Sequence, residues 1–177
     1  MPQAAMDEPP TKILIVGPER AGKTTIANFL TEQTQDLTPR QYTPTVGCRI
    51  LETERVVFNT PVAVQIWDVS GSQSFENCWP AIMSDADGVV LVYNPGNPAH
   101  ETEIVLWHDY FVSGQGVDHS RCLVYAHSGN EDGPDKRRPP PPRIEDITRL
   151  MTDSHSTAEI HRTFEDLLRG IVSRRGK

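Results

Sequence analysis

The chain has 177 residues, a length that suits one globular domain with its own hydrophobic core. Its net charge of −7 disfavours broad attraction to nucleic acid or to an anionic membrane and points instead to protein partners. Cys48, Cys78 and Cys122 lack the spacing of a metal site and have apolar neighbours, so we predict three small buried residues in a reducing compartment.

A phosphate-binding loop is predicted directly after the first strand. Residues 12–16 are a short apolar run, residues 17–24 hold two glycines separated by four residues and followed by Lys and Thr, and residues 24–30 continue at helical spacing. Inward-facing N–H groups and the start of the helix attract phosphate, and a lysine adds a full positive charge. The alternative is a glycine-rich turn followed by a chance Lys-Thr pair. The residues of this segment expected to contact phosphates are Pro18, Glu19, Arg20, Ala21, Gly22, Lys23, Thr24 and Thr25.

Strands and helices alternate along the rest of the chain. Residues 34–47 predict a long loop, and two strands at 49–59 and 62–67 are expected to meet at a tight turn over residues 59–61. The later elements are a short helix opening within 78–81, a buried strand at 88–93, a helix from about 100, a strand at 121–126, a short strand or helical turn within 144–151, and a last helix with an apolar stripe over 160–171. This order predicts an α/β fold with a mostly parallel sheet and helices on both faces.

The proline-rich segment 128–143 interrupts this alternation. Four consecutive prolines at 139–142 exclude a helix through it, so we expect a stiff exposed linker, with a partner ligand as the alternative. Basic residues at 136–138 and 174–175 are expected to be solvated. We predict a flexible arm at 1–11, a domain over 12–173 and a flexible tail at 174–177. The ends show no signal-peptide run, no glycine for myristoylation and no cysteine for prenylation, so no membrane anchor is expected.

Two further motifs lie where a nucleotide switch requires them. Residues 43–45 read Thr-Pro-Thr in the loop after the first helix, and residues 68–71 read Asp-Val-Ser-Gly after the third strand. Together with the phosphate loop, they resemble the small Ras-like GTPases, most closely the Rab branch, over nearly the whole chain after residue 11. Segments 47–52, 66–68 and 75–81 extend the resemblance to the Rab-like GTPases of intraflagellar transport.

The resemblance implies a Ras-like P-loop GTPase domain with one antiparallel hairpin strand and GTP or GDP with Mg²⁺ as cofactors. Lys23 would contact the β and γ phosphates, and Thr24 would ligate Mg²⁺. Thr45 would reach the same ion only when a γ phosphate is present, Asp68 would hold the ion through water, and the Gly71 N–H would face the γ phosphate. Two alternatives stay open: Thr45 as a turn residue and Asp68 as a cap of the next element. The proline run lies where this fold carries its fourth major helix, which should be absent or reduced to a turn.

Three positions depart from the family pattern. Ser72 stands where a glutamine orients the attacking water, and Glu19 stands where a glycine leaves room for an arginine finger. These two changes predict slow hydrolysis at most. At the end of the strand at 121–126, residues 125–129 read Tyr-Ala-His-Ser-Gly instead of the guanine-reading Asn-Lys-x-Asp motif. The residues nearest to a base pocket are His127 and Ser128, with Ser154 and His155 as counterparts of the later loop; His127 as a strand-end polar residue is the alternative.

A nucleotide-dependent binding module is therefore the leading interpretation. The resemblance implies a subunit of the intraflagellar transport B complex in the cytoplasm, the cilium or flagellum and its basal body. It also implies a coiled-coil partner, the heterodimer of intraflagellar transport proteins 74 and 81. Trp79 and the edge at 49–54 would lie beside the docking surface, although Trp79 also suits a core. The alternatives are an actively cycling GTPase of vesicle trafficking and a nucleotide-independent scaffold.

Overall fold

The computed structural model describes residues 8–129 and 139–175. Within them a six-stranded sheet runs in the order β2-β3-β1-β4-β5-β6, with β2 and β3 antiparallel and every other neighbouring pair parallel. The strands are β1 Thr11–Val16, β2 Cys48–Val57, β3 Thr60–Val69, β4 Gly88–Tyr93, β5 Cys122–His127 and β6 Arg149–Thr152. The predicted mixed sheet with one antiparallel hairpin strand is confirmed.

The described residues also form four α-helices, α1 Lys23–Leu30, α2 Trp79–Met83, α3 Pro98–Phe111 and α4 Thr157–Arg175. Three short 3₁₀ helices lie at Gln73–Cys78, Ser113–Gln115 and His119–Arg121. The start of α3 follows ordinary capping chemistry, because the Asn97 side chain accepts a hydrogen bond from the Ala99 N–H and Pro98 occupies the first turn. Among the helices described, none combines the length and apolar character needed to cross a bilayer.

The alternation of side chains along the strands divides the core between the two faces of the sheet. In β1, Ile13 and Ile15 pack on the face covered by α1 and α4, whereas Leu14 and Val16 pack on the face covered by α2 and α3. All four side chains are fully buried. Because β1 is covered on both faces, it reads as a continuous apolar run, and the loop that follows it emerges at the carboxyl edge of the sheet.

The hairpin turn lies slightly earlier than predicted. Strand β2 continues to Val57, which pairs with Thr60, and the turn consists of Phe58 and Asn59 with φ of 51° and 60°. Two central residues with positive φ are typical of the tight hairpin turn whose twist matches the flanking strands. Thr60 and Pro61, expected in the turn, therefore belong to β3.

The expected chain ends also differ in extent. Thr11 already pairs with Val64 in the sheet, and α4 continues through Arg175, so Arg174 and Arg175 of the expected flexible tail are helical. The Arg175 guanidinium forms an ion pair with Asp87, and Arg174 lies 3.6 Å from Asp118. These contacts hold the last turn of the helix against the body of the domain.

Turns without a helix occupy residues 139–148, in agreement with a fourth major helix that is reduced. Residues 130–138, which include the basic residues 136–138 that are expected to be solvated, lie outside the described residues, as do 1–7 and 176–177.

Two predictions of side-chain environment need correction. Cys78 is exposed and Cys48 only partly buried, so Cys122 alone of the three cysteines is buried as expected. Cys78 ends an exposed 3₁₀ helix that contributes nothing to the core. Trp79, one residue later, is 3% exposed, and its ring lies 4.9 Å from that of Trp107. Trp79 is a core residue because α2 packs against α3, and it does not belong to an exposed docking surface.

Candidate nucleotide-binding site

The phosphate loop is built from bare backbone at its two glycines. Gly17 has φ of 147°, and a Cβ there would lie 2.0 Å from the Val92 carbonyl oxygen. Gly22 has φ of 95° at the N-cap of α1, and a Cβ there would lie 2.6 Å from Cδ2 of His127. Neither position accepts a side chain, so the loop folds closely around the start of α1.

Lys23, the first residue of α1, is buried beneath this loop. It is 6% exposed, and its Nζ donates a hydrogen bond of 2.6 Å to the Pro18 carbonyl oxygen. Burial lowers the pKa of Lys23 to about 8, against the opposing effect of Asp68 and Glu19. The ammonium group is thus still mainly protonated at neutral pH, and it is a cation positioned to receive an anion.

The three predicted metal residues converge on one point beside Lys23. The Thr24 hydroxyl donates to Asp68 Oδ2 at 2.8 Å and lies 3.1 Å from the Thr45 hydroxyl, which in turn lies 3.5 Å from the same carboxylate oxygen. Asp68 is fully buried, and its Oδ1 has no hydrogen-bond partner within residues 8–129 and 139–175. Two hydroxyls and one carboxylate, whose second oxygen is orphaned, form the hard-oxygen donor set that suits Mg²⁺.

The electrostatics of Asp68 combine opposing effects. Burial raises the pKa of this carboxyl, while the Thr24 hydroxyl, the Arg49 guanidinium and the Lys23 ammonium each lower it. Sequence reasoning did not identify Arg49 as part of the site. Its Nε lies 3.4 Å from Asp68 Oδ2, and its Nη2 donates a hydrogen bond of 2.6 Å to the Asn28 side chain.

A cavity of about 700 Å³ opens beside these residues. Its walls are the phosphate loop and the start of α1 on one side and the loop at residues 34–46 on the other. The Arg20 guanidinium lies 4.1 Å from the ring centre of Tyr42, so a cation–π contact joins the two walls. The volume falls in the range of ordinary small-molecule sites. The cavity residues outside the predicted site include Asn28, Tyr42, Arg49, Asn94 and Gly129, together with much of the loop at residues 34–46.

Of the four base-pocket candidates, only His127 is among the residues that line the cavity. His127 lines the cavity, is buried, and has its Nδ1 3.0 Å from the Thr152 hydroxyl. Burial lowers the pKa of His127 to about 4, so the ring is neutral at physiological pH. Ser128 is also buried, but it is not among the residues that line the cavity, and neither are Ser154 and His155, which lie in the turn between β6 and α4.

Gly71 packs directly on the phosphate loop. A Cβ at Gly71 would lie 2.4 Å from the Glu19 nitrogen, so this segment approaches the loop by backbone alone. The next residue, Ser72, caps the following 3₁₀ helix, because its hydroxyl accepts a hydrogen bond from the Ser74 N–H. Gln73 is exposed and lines a second cavity of about 360 Å³, together with Glu19, Gly71, Ser72 and His100.

The chain matches the family model described as Roc, the Ras of Complex domain of DAPkinase, over residues 12–128. It is 39% identical over 171 residues to the intraflagellar transport protein 22 homolog of Homo sapiens, covering 92% of this chain and 90% of that relative. The small-GTPase architecture seen in the structure agrees with both matches.

Solved structures extend the similarity to the fold. The GDP-bound crystal structure of T. brucei IFT22 has a TM-score of 0.74 at 29% identity, covering 95% of this chain and 99% of that chain. The matching chain of the GTP-bound T. brucei IFT22/74/81 crystal structure has a TM-score of 0.74 at 30% identity, covering 95% of this chain and 98% of that one.

Proposed function

Because the chain belongs to the intraflagellar transport protein 22 family of Rab-like small GTPases, we propose that it binds guanine nucleotide with Mg²⁺ and serves as a nucleotide-dependent subunit of the intraflagellar transport B complex. The convergence of Thr24, Thr45 and Asp68 beside the Lys23 ammonium carries this proposal. The protein would act in the cilium or flagellum, with further pools in the cytoplasm and at the basal body.

The phosphate groups would lie along the loop that begins at Gly17, with Lys23 near the β and γ phosphates and the Gly71 N–H facing the γ phosphate. Thr24 and Thr45 would ligate Mg²⁺ directly, and Asp68 would hold it through water. When bound, the ion supplies positive charge that neutralises the β and γ phosphate oxygens. GDP-bound and GTP-bound structures of the T. brucei relative support guanine nucleotide as the ligand. His127 and Asn94 would line the base end of the cavity in the absence of the usual aspartate.

The docking partner that we propose is the heterodimer of intraflagellar transport proteins 74 and 81, as in the T. brucei IFT22/74/81 structure. Two exposed apolar side chains follow the switch threonine along the chain, one in the loop and one on the edge strand β2. Val46 is 78% exposed and Ile50 is 50% exposed, and both are close in sequence to Thr45. Ordering of Thr45 by a γ phosphate would therefore rearrange an apolar surface directly.

Replacing Thr45 by Ala tests this coupling. We expect the wild-type chain to bind the heterodimer at least about tenfold more tightly with a non-hydrolysable GTP analogue than with GDP, and the T45A variant to lose that difference. Calorimetry with each nucleotide measures both affinities. The control is Thr43→Ala, two residues earlier in the same loop, which should keep the difference. Equal affinity of the wild-type chain in both nucleotide states would defeat nucleotide-dependent docking and favour a nucleotide-independent scaffold.

Hydrolysis of GTP is expected to be slow. The Ser72 hydroxyl is engaged as a helix cap, and Glu19 adds a carboxylate beside the phosphates, so the intrinsic single-turnover rate should fall below about 10⁻⁴ s⁻¹. We also expect the nucleotide that is released by denaturing the purified protein to be GTP when it is identified by chromatography. Ser72→Gln should accelerate hydrolysis, while Ser74→Gln, at the other end of the same side-chain contact, should not. A wild-type rate equal to that of a glutamine-bearing small GTPase would favour an actively cycling enzyme.

A further inference from the structure

Arg49 places a positive charge next to the carboxylate of the metal site. It lies on β2, opposite Asp68 of β3 in the antiparallel register. Its Nε is 3.4 Å from Asp68 Oδ2, and the carboxylate is fully buried. The guanidinium also borders the cavity proposed to hold the nucleotide. The inference below rests on that proposed function.

The guanidinium is held in place from a second element. Its Nη2 donates a hydrogen bond of 2.6 Å to the Asn28 side chain of α1, so the group is fixed between α1 and β3. Arginine stays protonated at any physiological pH and presents a planar set of donors. The charge beside Asp68 is therefore permanent, and it acts as an ion pair, because Nε has no hydrogen-bond partner among the residues described.

The two oxygens of Asp68 have different surroundings. Oδ2 is approached by the Thr24 hydroxyl, the Thr45 hydroxyl and the Arg49 guanidinium. Oδ1, by contrast, has no hydrogen-bond partner within the part of the chain that the structure describes. Arg49 and a water of a bound Mg²⁺ can thus engage the same carboxylate on different atoms.

This arrangement changes what happens when Mg²⁺ leaves. In a site whose carboxylate has no arginine paired with it, removal of the ion leaves a buried carboxylate facing the phosphates, and their repulsion weakens nucleotide binding. Here a guanidinium continues to neutralise Asp68. We propose that Arg49 is a built-in counter-charge of the magnesium site, which makes nucleotide retention less dependent on Mg²⁺.

The chain provides a matched control in Arg55, six residues later on the same strand. Arg55 also connects β2 to the end of α1, through hydrogen bonds to the Leu30 carbonyl oxygen and to Glu32, but it does not border the cavity. Loss of either arginine removes a contact between α1 and β2. Loss of Arg49 also removes the charge beside Asp68.

The test measures dissociation of a fluorescent methylanthraniloyl GDP from the full chain, in excess Mg²⁺ and after addition of EDTA. The quantity compared is the ratio of the rate in EDTA to the rate in Mg²⁺, because general loosening of the fold raises both. We expect Arg49→Gln to increase this ratio at least about tenfold over wild type, as follows from loss of a unit charge beside a buried carboxylate. Arg49→Lys, which keeps the charge but loses the contact to Asn28, should raise the ratio less than Arg49→Gln does, and Arg55→Gln should keep the wild-type ratio.

Where Arg49→Gln fails to fold, Asn28→Ala releases the guanidinium while retaining every charge, and it should raise the ratio by a smaller factor. An unchanged ratio in the folded Arg49 or Asn28 variant would overturn the inference, as would an equal increase in Arg55→Gln. Absence of any probe binding by the wild-type chain would instead overturn the proposed function, and the inference with it.

Discussion

Replacing Lys23 by Ala is expected to lower the affinity for GTP and GDP at least about a hundredfold, because the proposed charge-assisted contact to the β and γ phosphates would be lost. The ammonium group is buried and donates only to the Pro18 carbonyl oxygen among the described contacts, so a phosphate would be its natural counter-ion. Calorimetry with each nucleotide measures the loss.

The control for this prediction is Lys12→Ala. Lys12 also donates from Nζ to a backbone carbonyl oxygen, that of Ser84, but it packs over the Trp67 ring and does not border the cavity. Nucleotide affinity should therefore survive its removal. Retained affinity in Lys23→Ala would contradict the site as described.

Lys23→Ala is expected to affect folding stability differently from nucleotide affinity. In the nucleotide-free chain the pKa of Lys23 is about 8, below the ordinary value of 10.5, so the unfolded chain holds this proton more tightly than the folded one. Burial of the charged ammonium therefore lowers the free energy of unfolding by its full amount below pH 8. This loss disappears as the pH rises above 10.5. Lys23→Ala should consequently unfold no more easily than wild type at pH 7, and its stability should rise less between pH 8 and 10.5. Chemical denaturation at a series of pH values measures both.

Replacing Gly17 by Ala is expected to destabilise the domain by about 3 kcal/mol or more. The added Cβ would lie 2.0 Å from the Val92 carbonyl oxygen in the central strand β4, and the φ of 147° is unfavourable for any side chain. Relief requires the phosphate loop to move away from β4, so nucleotide binding should fall together with stability. Chemical denaturation of the nucleotide-free protein measures the change.

Gly116→Ala is the matched control for this collision. Gly116 also has a positive φ, 62°, but among the residues described no atom lies within 4 Å of the position that an added methyl group would take. Gly116→Ala should lower the free energy of unfolding only by the backbone cost of a positive φ, on the order of 1 kcal/mol. Equal losses in the two variants would mean that backbone conformation, and not contact with Val92, makes Gly17 necessary.

The phosphate loop and the alternation of elements were predictable because their signals are local. A run of apolar residues at 12–16, two spaced glycines and a helical period follow one another along the chain, and backbone geometry connects them directly. The hairpin turn was placed slightly too late for a related reason. Asn, Thr and Pro all favour turns, so the composition of residues 59–61 indicated a turn there. Cross-strand pairing of Val57 with Thr60 instead places the turn at the two residues between them.

Predictions about side-chain surroundings were less successful. Trp79 suited an interface as well as a core in the sequence, and packing of its ring against Trp107 and Phe111 placed it in the core. Cys78, its neighbour, was expected to be buried and is exposed. Adjacent residues at the junction of two short helices point in different directions, and composition alone does not reveal which.

By itself the sequence determined the strand, loop and helix that surround Gly17 and Lys23, and the order of the motifs at Thr45 and Asp68. Only the tertiary structure decided that Arg49 faces Asp68, that Asn28 holds it, and that His127 lies beneath Gly22. A loop that binds anions through consecutive N–H groups is encoded by neighbouring residues. A buried charge, by contrast, is balanced by residues that the strand register and helix packing bring together from distant parts of the chain.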